Sequence, residues 1–125
     1  MLDTSPLTAA VERFADRLRA APQSRLQRGA AEVALDLARE LSVRAQRLEE
    51  AAGGRGGATG AAPAREMPDA GIFVVGDQVA VAGTDLAEAL RGVGPGAGPN
   101  GTKAPSEALD EAVRLVEQAE VRAMR

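Results

Sequence analysis

The side chains able to do chemistry are few and of a narrow kind. The chain of 125 residues contains no His, Cys, Tyr or Trp, and Lys103 is its one lysine. Acyl transfer by a Ser-His or Cys-His pair is therefore excluded, as are thiolate and imidazole metal sites and any disulfide. Carboxylates and guanidinium groups remain. Glu32, Asp36 and Glu40 recur every four residues, a spacing that aligns three carboxylates on one helix face and could offer oxygen ligands to a hard divalent ion. Arg28 and Arg44 continue the same row at its two ends, with Arg39 alongside, so the row reads as a solvated, ion-paired face. No cofactor and no small-molecule ligand is expected, and the chain reads as non-enzymatic.

The second cluster is basic. Arg13, Arg17, Arg19, Arg25 and Arg28 crowd the region around Pro22 against only Glu12 and Asp16, a local excess of +3 that could meet phosphates. A net charge of −3 and the lack of interleaved aromatic side chains for base stacking weigh against nucleic acid as the main partner. Gly92-Val93-Gly94-Pro95-Gly96 has the glycines of a phosphate loop, but no strand precedes it and Pro95 removes an N–H. Thr102 and Lys103 then follow in the wrong order for that motif. Asn100-Gly101-Thr102 matches a glycosylation acceptor, which matters only in a secreted chain. Met1-Leu2-Asp3 lacks the basic start and apolar run of an export signal, and no stretch approaches membrane-spanning length. A cytoplasmic location without a membrane partner is the expectation.

These groups must be carried by a thin framework. Leu, Ile, Val and Phe together supply 26 residues, and alanine, which favours helix but buries little area, supplies 27. The length suits one domain. Ser5-Pro6 followed by Leu7, Val11, Phe14 and Leu18 predicts an amphipathic helix over 6–20. Leu26, Ala30, Val33, Leu37, Leu41, Ala45 and Leu48 predict a longer helix over 24–52, with Gly29 a place where it could begin or bend. The two should pair as an antiparallel helical hairpin over 5–52. Ala30, Ala34 and Ala38 form a small-residue row that lets another helix approach.

Residues 53–69, rich in Gly, Ala and Pro, read as a flexible linker, and 92–104 as a second one. Between them, Ile72 to Val75 and Gln78 to Ala82 flank Gly76-Asp77, the pattern of a β-hairpin about a two-residue turn. Ile72, Val74, Val79 and Val81 then share one face, and Phe73 and Val75 lie on the other. Asp85 and Glu88 suggest the cap of a short lid helix, completing a β-hairpin-plus-helix unit over 70–91. Pro105, Glu107, Asp110 and Glu111 open a C-terminal helix over 105–125. The expected fold is mostly α (α+β): a helical hairpin, one β-hairpin with a short lid helix, and a C-terminal helix.

A two-stranded hairpin is marginal in water and leaves strand edges unpaired. With so few bulky apolar residues, association would supply the missing burial. The expectation is a self-associating helical protein used for protein–protein contact, a homodimer or a complex with another protein, with Leu35, Val43, Phe73 and Val75 at the interface. The alternative is a small regulator contacting nucleic acid through Arg13, Arg17, Arg19, Arg25 and Arg28.

Overall fold

A computed structural model of the chain describes residues 2–57, 67–92 and 104–125. Four long helices dominate: α1 (Ser5–Ala20), α3 (Ala31–Gly57), α4 (Val75–Gly92) and α5 (Pro105–Ala123). A single turn of helix, α2 (Gln23–Arg25), and a wide π-helical turn over Leu26–Ala30 join α1 to α3. At the start of α1 the Asp3 carboxylate accepts from the Ser5 main-chain N–H at 2.9 Å. Hydrogen bonds from the Ser5 side chain and main chain hold that carboxyl below its usual 3.8. Gly29 takes φ +143°, a region that residues with a Cβ rarely enter, and the chain bends there before α3 begins.

Residues 70–91 overturn the expected β-hairpin. Among the described residues there is no strand, and Val75 to Gly92 is one continuous helix. Gly76-Asp77 is therefore not a turn, and Asp85 and Glu88 lie inside the helix instead of capping a short lid. The cause is tertiary. Valines at 75, 79 and 81 and glycines at 76 and 83 cost a helix on the order of 4 kcal/mol in propensity. Burying Val75, Val79, Leu86 and Leu90, each 3% exposed or less, returns roughly 1.5–3 kcal/mol per side chain. The two glycines also have a packing role. A Cβ on Gly83 would stand 2.6 Å from both γ-carbons of Val11, and one on Gly76 would stand 3.1 Å from the Ala15 carbonyl oxygen. Seven residues apart, they lie two turns along one face of α4 and let α1 come close.

The expected pairing of the first two long helices is also corrected. The packed pairs are α3 with α4, α1 with α4, α1 with α5 and α3 with α5, so α1 faces α3 across the core, and α4 faces α5. Close approach of α4 through Gly76 and Gly83 gives it the place beside α1. Polar ties fix the directions. Arg91 donates to Thr4 Oγ1 at 2.7 Å and Arg19 reaches Asp77 at 2.7 Å, which makes α1 and α4 antiparallel. Arg44 on α3 meets Glu111 near the start of α5, while Ala30 and Ala123 line one groove at the opposite end, so α3 and α5 are antiparallel. Leu35 and Val75 line another groove, so α3 and α4 start at the same end and run in parallel.

A parallel neighbour requires a long return. Arg39 Nε donates to the Met67 carbonyl oxygen at 2.8 Å, so the chain comes back to the middle of α3 after leaving Gly57. The 18 helical steps from Arg39 to Gly57 rise about 27 Å. The ten steps from Gly57 to Met67 can span up to about 33 Å, enough for that return. The stretch expected as a linker from Gly53 thus begins inside α3; its residues 58–66 lie outside the described residues. So do residues 93–103, which carry most of the second expected linker, the Gly-Pro-Gly loop and the Asn100 acceptor.

One core serves all four helices. Leu7, Phe14, Leu18, Leu41, Val79, Leu86, Leu90 and Val116 are fully enclosed, and Ala10, Ala15, Ala34, Ala38 and Ala82 fill the space between them. Small side chains allow short distances between axes, so a core low in bulky residues still closes.

Candidate functional site

The four positions expected at an interface separate by burial. Val75 and Leu35 are 3% and 9% exposed and pack within the chain's own bundle. Val43 is half-buried on α3. Phe73 is 72% exposed, whereas Phe14, the other aromatic, is fully buried. Leu35 and Val75 nevertheless share a groove of about 290 Å³ with Asp36, Arg39, Asp69 and Gly71, and Phe73 follows that groove two residues later in the chain.

The segment carrying Phe73 is fixed to the bundle at several points. Arg39 holds the Met67 carbonyl, and Gln78 Nε2 donates to the Pro68 carbonyl at 2.8 Å. Asp69 Oδ1 accepts from the Gly71 N–H at 3.0 Å, and Gly71, at φ +105°, turns the chain toward α4. The Val74 N–H then donates to the Gly71 carbonyl at 3.3 Å. Met67 and Ile72 rest against the core while Phe73 between them and α4 points away from it. An exposed aromatic on a tied-down backbone is a pre-organised apolar contact.

The five arginines near Pro22 do not form one patch. Arg13 Nε and Arg17 Nη1 both reach Glu120 of α5, at 3.3 and 2.9 Å. Arg19 bridges Asp16 at 3.1 Å and Asp77 at 2.7 Å, and its hydrogen bond to Asp77 raises its pKa further above the usual range. Arg25 and Arg28 turn instead to main-chain oxygens, of Arg125 at 3.0 Å and Ser24 at 3.4 Å. The +3 excess counted along the sequence is thus offset in space by Glu120 and Asp77, carboxylates from other helices.

Of the carboxylate row on α3, Glu40 is drawn into an ion pair. Arg44 holds Glu40 at 2.7 Å and also Glu111. Partial burial lowers the Arg44 pKa, but the hydrogen bonds it donates to Glu111 and Glu40 outweigh it and the net shift is upward. Among the described residues no group of three acidic side chains is placed to hold a metal ion, and no helix is long and apolar enough to cross a membrane. Comparison of the chain with protein-family models, with curated proteins and with solved structures gives no match in any of the three.

Proposed function

We propose that this chain is a non-enzymatic helical bundle that acts by protein–protein contact, pairing with a second copy of itself through Phe73 and the groove beside it. The carrying observation is the exposure of Phe73 on a backbone held by Arg39 and Gln78. Burying an aromatic side chain at an interface contributes on the order of 2 kcal/mol from area alone. A two-fold arrangement lets Phe73 of each copy enter the groove of the other, so one residue type is used twice. The unpaired strand edges that the sequence suggested are not part of this reading, because residues 75–82 lie in helix α4.

Sedimentation equilibrium tests it. At micromolar concentration the wild-type chain is expected at twice its 12.8 kDa mass. Phe73→Asp should sediment as a monomer with an unchanged helical circular dichroism spectrum. A wild-type chain that stays monomeric, or a Phe73→Asp variant that still dimerises, would overturn the proposal.

A further inference from the structure

Arg25 and Arg28, in the bent junction before α3, and Arg122 and Arg125, at the end of α5, line one groove of about 320 Å³. Arg25 and Arg125 stand 100 residues apart in sequence, so the cluster exists only in the fold. Glu32 is the single acidic side chain on its wall, and the rest of the lining is small or apolar. Four arginines elsewhere in the bundle meet carboxylates: Arg13 and Arg17 share Glu120, Arg19 has Asp16 and Asp77, and Arg44 has Glu40 and Glu111. Among the described residues no Asp or Glu side chain lies within ion-pair distance of the four groove arginines, and Arg25 donates to the Arg125 oxygen at 3.0 Å. Arg25 and Arg28 each spend one donor on a main-chain oxygen and keep the remainder of a five-donor fork.

A chain of net charge −3 therefore gathers four guanidinium groups beside one acidic side chain, and their mutual repulsion is relieved by a multiply charged anion. Guanidinium forks match phosphate oxygens two at a time, and four of them exceed what a single carboxylate or phosphate could engage. No aromatic side chain lines the groove, so nothing is offered to a nucleobase. We infer that this groove binds a short polyphosphate, free or as the tail of a larger molecule, through Arg25, Arg28, Arg122 and Arg125. This groove adjoins the one beside Phe73, with Glu32 on the wall of both, but the four arginines line only this one, and the inference does not depend on dimerisation.

The test is calorimetric titration of the full chain with inorganic tripolyphosphate at low salt, with orthophosphate and a nucleoside triphosphate as further probes. Tripolyphosphate should bind, orthophosphate should bind more weakly, and the nucleotide should bind no tighter than tripolyphosphate. Arg28→Ala with Arg122→Ala removes two exposed side chains and should weaken binding at least about tenfold. Arg47→Ala with Arg114→Ala, two exposed arginines outside the groove, should leave it unchanged. Absence of binding, an equal loss in both pairs of variants, or markedly tighter binding of the nucleotide would overturn the inference.

Discussion

Glu120 is the one charged residue that is buried among the described residues, and it is shared by two arginines that are themselves half exposed. The asymmetry has an energetic consequence. If both arginines are lost, a carboxylate at 9% exposure is left without a partner, whereas loss of the carboxylate leaves two guanidiniums free to hydrate. Arg13→Ala with Arg17→Ala is expected to destabilise the fold by about 2 kcal/mol, a value kept low because both arginines reach solvent. Glu120→Gln should cost about 1 kcal/mol or less, because its amide oxygen can still accept one hydrogen bond. Urea denaturation of the three proteins measures the order, and a larger loss in Glu120→Gln would contradict it. The arginines were legible in the sequence as a cluster, but Glu120 lies 107 and 103 residues away from them, beyond any spacing rule. The same limit hid the Arg25–Arg125 groove, whose halves come from opposite ends of the chain. Phe73 was legible as an apolar residue needing cover, and only the fold separates it from Phe14.

Helix α4 is the element on which local and tertiary signals disagree. Its valines and its Gly76-Asp77 step carry strong hairpin character, and a reading that weighs local propensity first takes them as strands. The same residues also hold a helical pattern, since Val75, Val79, Ala82, Leu86 and Leu90 fall at spacings of four, three, four and four. Glycines at 76 and 83 repeat over two turns, which fits a close helix contact as well as two breaks. Local chemistry could not decide between these; the presence of α1 does. Helices α1 and α5, whose spacing signal was unopposed, form within a residue or two of their expected limits. Gly83→Ala tests the packing role directly. Propensity alone would make this change stabilising by up to about 1 kcal/mol. The new Cβ meets the stiff, buried side chain of Val11, so a net loss of about 1–3 kcal/mol is expected. Adding Val11→Ala should recover part of that loss, and additive effects in a thermal or urea melt would show that the two residues do not compete for space.

At the scale of the molecule, the sequence suggested a chain too poor in bulky apolar groups to cover itself, and the bundle shows how alanine changes that balance. Ala10, Ala15, Ala34, Ala38 and Ala82 are buried at 2% exposure or less, and they let α1, α3, α4 and α5 pack around one core. The proposed self-association then has a narrower task than completing the fold: to cover Phe73 and the groove next to it. Folding and pairing become separable, the first independent of concentration and the second not. Residue-resolved amide hydrogen exchange, followed from nanomolar to high micromolar protein, reads both at once. Residues 75–90 should be protected as a continuous helix at every concentration, and residues 69–74 should gain protection only as the protein is concentrated. Rapid exchange across 75–90 at high dilution would contradict a bundle that closes on its own, and unchanged exchange over 69–74 at all concentrations would contradict pairing through Phe73.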